Sequence, residues 1–374
     1  MDSTLAFIPG LQLSEIFYHE AVKPLLEECF PRVAYTAARL GRGSDVLGFD
    51  TPRSMDHDWG PKLSLFLSQE DDDRHGDAII ETLRERLPYD VQGYPTHFAS
   101  PERSGGRLQW MVDGPVNHGV TVWTLRSFFA EQLEIDPYAE LTTIDWLTLP
   151  QQRLRTIVAG RVFYDGLGEL EMLRAKFDYY PRDIWLYLLA VQWRRIAQEQ
   201  PFMGRCGDVG DELGSRILAA RLARDVMRLC FLIERTYIPY SKWLGSAFAR
   251  LRCAPRVGPL LEQALQASSW LERERRLSSA YEDVAAMHNA LGLTDPLPTH
   301  VSRFHDRPYL VIDADRFVEA LRAAITSEEV RRLPPHIGSV DQFVDSTDVL
   351  DNDGRFAQLR ALYTTTGRID TNRQ

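Results

Sequence analysis

Residues 43–50 read GSDVLGFD, and residues 54–60 read SMDHDWG. Together they place a Gly-Ser turn a short loop ahead of two aspartates that are separated by one residue. A glycine lets the backbone come close to a phosphate, and neighbouring carboxylates are hard oxygen ligands that suit Mg²⁺ carrying a triphosphate. The segment therefore predicts a site for nucleotidyl transfer.

The flanking residues predict a strand on each side of this turn. The mostly apolar run 33–40 indicates a buried strand that a glycine turn ends. Residues 55–67 predict a second strand, and side chains at positions i and i+2 of a strand share a face. We therefore expect Asp56 and Asp58 to point the same way. Residues 45–49 are expected to start a short helix, whose N-terminal amides would favour an anion.

These positions predict the roles of single residues. Gly43 and Ser44 would cradle the phosphates, and Asp56 with Asp58 would hold two Mg²⁺ ions that clamp the attacking and leaving oxygens. Lys62 could face the phosphates as well. The alternative interpretation is a plain Gly-Ser turn and a polar strand end, since either motif is common by itself.

The region resembles the signature of the nucleotidyltransferase superfamily, a Gly-Ser followed by Asp-x-Asp on the next strand. Residues 43–61, 210–243, 307–309 and 341–343 are similar to an uncharacterised bacterial family, the DUF4037 nucleotidyltransferase-like proteins. The resemblance implies a polymerase-β-like palm fold. It also implies metal-dependent transfer of an NMP, with ATP the expected donor, to a hydroxyl of an acceptor that the sequence does not identify.

One position departs from the superfamily pattern, in which a later strand supplies a third carboxylate. The candidate strand is 119–124, and Thr121 stands where we expect the acid. Asp113, Asp211 or Glu212 could supply it instead, with Glu212 as a candidate general base. If none does, the alternative is a non-catalytic nucleotide sensor or interaction module.

A stripe of arginines lies on the helix predicted over residues 215–237. Its arginines fall within about 60° of one another on a helix that is otherwise mostly apolar. They are Arg221, Arg224, Arg228 and Arg235. Structural ion pairs with Asp225 or Glu234 would explain this stripe, and so would phosphate contacts, which we predict for Arg221 and Arg224. Asp211 and Lys242 are further candidates for nucleotide binding, with a helix cap and a surface lysine as their alternative interpretations.

The alternation of elements predicts an α+β protein with three segments. Residues 1–145 would form the nucleotidyltransferase palm, a mixed sheet with flanking helices. Residues 146–295 would form a helical bundle, and residues 296–374 would pack on it. Helices are expected over 13–30, with Ser14 as the cap, and over 127–133 and 182–199. After residue 124 no comparable strand pattern recurs until residues 309–312.

Composition limits the functional classes. The chain has 374 residues, of which 44% are hydrophobic and 26% charged, as in ordinary globular proteins. Its net charge of −10 argues against broad nucleic-acid binding and favours a small acceptor. No run is apolar enough for a membrane span, and no secretory signal is visible, so we expect a cytoplasmic protein. The four cysteines lack metal-type spacing and are expected to be reduced thiols. The sequence does not decide whether the protein forms a homodimer.

Overall fold

The structure of the protein is a computed structural model that describes residues 6–99, 106–351 and 356–364. It confirms an α+β architecture, with a small mixed sheet and a helical C-terminal region. The chain divides into two compact units, residues 1–140 with 153–178 and residues 141–152 with 179–374. These limits differ from the three predicted segments, because the chain returns to the first unit after residue 152.

In chain order the strands and helices have the following bounds. The strands are β1 (Tyr35–Arg39), β2 (Lys62–Leu67), β3 (Asp90–Val91), β4 (Tyr94–Pro95), β5 (His97–Phe98), β6 (Leu108–Gln109), β7 (Gly119–Thr124), β8 (Arg161–Asp165), β9 (Ser302–Arg303) and β10 (Leu310–Val311). The α-helices are α1 (Gly10–Phe17), α2 (Lys23–Cys29), α3 (Gln69–Arg86), α4 (Leu125–Leu133), α5 (Thr143–Thr148), α6 (Gln151–Val158), α7 (Leu170–Ala175), α8 (Arg182–Asp208), α9 (Glu212–Ile233), α10 (Leu244–Phe248), α11 (Ala254–Gln266), α12 (Trp270–Ala290), α13 (Asp315–Ala323), α14 (Glu328–Arg331), α15 (Val340–Phe343), α16 (Thr347–Asp351), α17 (Phe356–Leu359) and α18 (Ala361–Thr364).

The first unit is organised by a four-stranded sheet in the order β7-β2-β1-β8. Strand β1 runs antiparallel to both of its neighbours, and β2 runs parallel to β7. The end of β1 and the beginnings of β2 and β7 therefore lie at one edge of the sheet. Strand β8 was missed by the sequence analysis, because its five residues are only half-buried or exposed and lack a strong apolar pattern.

Two predicted elements around the Gly-Ser turn are wrong. The second strand begins at Lys62 rather than at residue 55, because Pro52–Asp56 forms a 3-10 helix whose first turn carries a capping box between Thr51 and Ser54. Residues 45–49 form hydrogen-bonded turns instead of a helix, for example from the Phe49 amide to the Ser44 carbonyl at 2.8 Å.

The predicted N-terminal helix is present but begins earlier, at Gly10, and passes through a π-helical stretch, Tyr18–Val22, before α2. Ser14 is therefore not its cap. Instead the Asp50 carboxylate accepts hydrogen bonds from the Gly10 amide at 2.6 Å and the Trp59 indole at 3.0 Å. A carboxylate beside the first free amide of a helix is favourable, so this contact fixes the loop after the Gly-Ser turn against α1.

The helical core of the second unit consists of α8 and α9 packed along each other, with α12 and α13 against them. Helix α8 was predicted to end at residue 199 but continues through Pro201 to Asp208. Glycines keep its last turns close to neighbouring rings, since a Cβ on Gly207 would lie 2.1 Å from the Trp270 ring. In the described ranges, no helix combines the length and the apolar character that a bilayer crossing requires.

Candidate functional site

A cavity of about 330 Å³ opens at the sheet edge where β1 ends and β2 and β7 begin. Its polar lining comes from these three strands, from the segments that flank them and from Gln132 of α4. The charged and hydroxyl side chains are Arg39, Arg42, Asp58, Lys62, Ser64 and Thr121. The cations of this set are Arg39, Arg42 and Lys62, of which Arg39 is paired with Asp45 and Lys62 with Asp58.

The turn after β1 is built on a buried ion pair. The Arg39 guanidinium donates to both Asp45 oxygens, at 2.7 and 3.0 Å, and both side chains are at least nine-tenths buried. Arg39 also donates to the carbonyls of Leu40 and Arg42, both at 3.1 Å. The guanidinium is thus used to shape the turn. Gly41 and Arg42 line the cavity from here, rather than Gly43 and Ser44.

Gly43 is required by this ion pair more than by a ligand. Its φ of +146° lies in the region that favours glycine. A Cβ at this position would lie 2.1 Å from the Asp45 Oδ1 atom and 2.7 Å from an Arg39 nitrogen. The glycine therefore makes room for the Arg39–Asp45 pair, and its predicted approach to phosphate stays a prediction.

Asp58 and Lys62 form an ion pair on the cavity wall. Asp58 precedes β2 in a left-handed conformation, and its carboxylate accepts from the Lys62 ammonium, which also donates to the Asp58 carbonyl at 3.1 Å. Burial lowers the pKa of Lys62, while the Asp58 carboxylate opposes that shift. The side chain of Asp58 is 73% exposed and that of Lys62 only 18%, so the carboxylate is accessible from the open side.

Asp56 does not share a strand face with Asp58, and that expectation is wrong. Asp56 ends the 3-10 helix, and His57 is extended before the left-handed Asp58. The exposed Asp56 carboxylate lies 2.7 Å from His57 Nδ1, and this hydrogen bond holds the pKa of Asp56 below its usual value. Asp56 is not among the residues that line the cavity.

A pair of hydroxyl side chains stands at the position where a third carboxylate was sought. Ser64 on β2 and Thr121 on β7 are in register, and both line the cavity. Asp113 lies outside this lining. Among the described residues, Asp58 is the one carboxylate that lines the cavity, and no group of three or more His, Cys, Asp or Glu side chains could hold a metal ion.

The cavity residues that the sequence analysis missed are Arg39, Arg42 and Ser64. The two arginines bracket the glycine turn in the segment RLGRGS, which is a readable signal for an anion site. Ser64 had no comparable signal, because it emerges only from the register of β2 and β7.

The remaining predicted site residues belong to the second unit. Asp211 caps α9, accepting from the Gly214 amide at 2.8 Å, as the cap interpretation predicted. Glu212 contacts the buried Arg273 at 3.2 Å. The Lys242 ammonium lies 4.4 Å from the centre of the Trp243 ring. These contacts account for the side chains without a ligand, and their predicted roles stay predictions.

The arginines of α9 pair with carboxylates of the same unit. Arg221 contacts Glu199 on α8 at 2.6 Å, and Arg224 contacts Asp345 at 3.0 Å. Ion pairs therefore engage Arg221 and Arg224, with partners that differ from those expected, whereas Arg235 lies over the Tyr179 and Trp185 rings. The phosphate contacts predicted for Arg221 and Arg224 stay predictions. Asp225 pairs with Arg195, and Glu234 with Arg252. A helix pattern gives the spacing of the arginines but not the acids on neighbouring helices.

Comparison with known families finds one match. Residues 146–244 match the family model described as "Domain of unknown function (DUF4037)". The match covers α8, α9 and the residues to Leu244, and so includes the segment 210–243 on which part of the resemblance was based. It does not include the Gly-Ser turn, Asp56 or Asp58. No curated protein matches the chain.

Proposed function

We propose that the cavity of the first unit binds the triphosphate of an NTP, ATP first, together with Mg²⁺, and that the protein transfers the NMP to a hydroxyl of a small acceptor. The observation that carries this proposal is the sheet topology. It sets the glycine turn after β1, Asp58 before β2 and the start of β7 at one end of the sheet, around one cavity that Arg42 and Lys62 line. A palm-type sheet would use this edge in the same way.

The residues fit Mg²⁺ that arrives with phosphates rather than a metal held by protein alone. Mg²⁺ keeps several waters and is commonly bound by one or two carboxylates plus substrate phosphates. Asp58 is exposed enough to serve as one ligand. Asp56 would join it after its side chain turns from His57 toward the rim. When bound, the ion would supply charge stabilisation at the phosphates.

The chain's own residues would bind and orient the nucleotide. Lys62 would exchange its contact with Asp58 for phosphate oxygens, and Arg42 would approach them from the turn. Arg39 would act only through the turn that it shapes. A base for the acceptor hydroxyl is not assigned in this cavity. Glu212 keeps that role only as a prediction, because its carboxylate is already bound to Arg273.

Calorimetry with ATP, with and without Mg²⁺, tests the binding step. Wild type should bind ATP more tightly with Mg²⁺, and Asp58→Asn should lose that gain. Asp77→Asn is the matched control, since it makes the same change at an exposed position of α3. An equal loss in both variants, or no magnesium-dependent gain in wild type, would refute the proposal.

The Ser64–Thr121 pair favours a second candidate, nucleotide binding without turnover. With hydroxyls in register where an acid was expected, the cavity could hold a nucleotide and lack a third metal-binding or basic group. Pyrophosphate release during incubation with NTPs and candidate acceptors separates the two functions. Release that depends on Asp58 supports transfer, whereas magnesium-dependent binding with no release supports a sensor.

A further inference from the structure

Large apolar side chains face solvent where α8 turns into α9, at one end of the second unit. Val209 is 75% exposed, Leu213 72%, Ile217 54% and Phe202 47%. A contiguous exposed apolar patch on a folded protein commonly marks a surface that binds a partner. These four residues are called the apolar face below.

Helix spacing and one ion pair place the four side chains on one side of the two helices. Only three residues join α8 to α9, so the two helices run antiparallel. The Arg221 guanidinium lies 2.6 Å from the Glu199 carboxylate, which sets these two positions at the same level. Ile217 lies four residues before Arg221, and Phe202 lies three residues after Glu199, so both lie one turn nearer the connection. The other two members of the face continue these rows, at spacings of four and seven residues.

The charges along the apolar face are divided by sign. Residues 206–215 contain three acids and no base, whereas residues 216–224 contain three arginines and no acid. The boundary between them lies midway along the face, between Leu213 and Ile217. The charged residues are Asp208, Asp211 and Glu212 on one side and Arg216, Arg221 and Arg224 on the other.

This division of charge favours a second copy of the same chain as the partner. Nucleic acid or anionic lipid would be repelled by the acidic half, and a cationic partner would be repelled by the arginine half. Two copies related by a twofold axis bring each acidic half against an arginine half, because such a contact uses the same patch of both chains. The two α9 helices then run antiparallel, so the positive end of each helix dipole lies beside the negative end of the other.

We propose that the protein forms a homodimer in which the apolar faces of two copies pack against each other about a twofold axis. With the axis at the level of residue 215, Leu213 of one copy lies opposite Ile217 of the other. Asp211 is then displaced by about 4.5 Å along the helix axis from Arg216 of the other copy, within reach of that side chain. Arg216 is available for this contact, since it is 57% exposed and lies 3.9 Å from Glu212 of its own chain.

Sedimentation velocity of the full chain over a range of protein concentrations measures the association. We expect a monomer–dimer equilibrium for wild type. Ile217→Glu places a charge in the middle of the apolar face and should raise the dimer dissociation constant roughly 30-fold or more, as truncation of a central interface residue does. Met172→Glu is the matched control, because Met172 is an exposed apolar residue of α7 in the first unit, 61% exposed. It should leave the dissociation constant unchanged.

A second variant tests the antiparallel arrangement separately. Arg216→Glu brings a new acid against the acidic half of the other copy and should also weaken the dimer. Both positions are more than half exposed, so circular dichroism should show the same helix content in these variants as in wild type. Wild type that stays monomeric at the highest soluble concentration overturns the proposal. A dimer that persists unchanged in Ile217→Glu or in Arg216→Glu does so too, as does an equal loss in Met172→Glu.

Discussion

The turn after β1 and the arginine stripe of α9 are both cationic, yet they use their charges differently. At the turn, Arg39 is buried against Asp45 and shapes the backbone, whereas Arg42 and the partly exposed Asp58–Lys62 pair line an open cavity. On α9, the arginines contact protein carboxylates on neighbouring elements. Charge in a sequence therefore indicates an anion site only where the fold leaves open space beside it.

This difference predicts the largest loss for Asp45→Ala. Removing the carboxylate leaves Arg39 charged and buried, and breaking such a pair costs roughly 3–5 kcal/mol of unfolding free energy. Urea denaturation measures the effect. A loss below about 1 kcal/mol would show that the turn does not depend on the ion pair.

The buried Asp341 of the second unit makes the stability of the protein depend on pH. Its carboxylate is buried and accepts from the Gln151 amide at 3.0 Å, and burial raises its pKa to about 6. The folded state then binds the proton more tightly than the unfolded state does. The stability from this group is thus complete below about pH 4 and is lost as pH rises through 6.

Asp341→Asn keeps the acceptor for Gln151 and removes the titration. Relative to wild type, its stability should improve between pH 4 and 7, by up to about 3 kcal/mol. Chemical denaturation across this range supplies the comparison. Parallel curves for the two proteins would mean that Asp341 titrates as an ordinary carboxyl group.

Lys62→Met tests whether ATP binds at the cavity of the first unit rather than in the second unit. If Lys62 exchanges Asp58 for phosphate, its loss should weaken ATP binding roughly 10- to 150-fold, which corresponds to the ~1.5–3 kcal/mol of a charged hydrogen bond. Lys242→Met makes the same change in the second unit and should leave affinity unaltered. Similar losses in both variants would instead support the role first predicted for Lys242.

Arg221→Ala should have the smallest effect. The Arg221–Glu199 pair is partly exposed, and such pairs contribute about 0–1 kcal/mol. Both thermal stability and ATP affinity should therefore change little. A marked loss of ATP affinity with unchanged stability would instead support the predicted phosphate contact of Arg221.

Local patterns predicted much of the fold. The apolar run that became β1, the strand β7 and the existence of α8 and α9 were predicted, although α8 ends nine residues later than expected. Strand β8 was missed because its residues are exposed or half-buried. The start of β2 was misplaced because the capping box between Thr51 and Ser54 favours a 3-10 helix over an extended chain.

The sequence by itself determined the α+β class, the order of the main elements and the glycine turn between two strands. These follow from side-chain periodicity and backbone freedom, which act over a few residues. Tertiary structure alone decided that Asp58 pairs with Lys62, that Ser64 meets Thr121 and that Arg221 meets Glu199. Strand register and helix packing bring these distant residues together, and no local pattern encodes them.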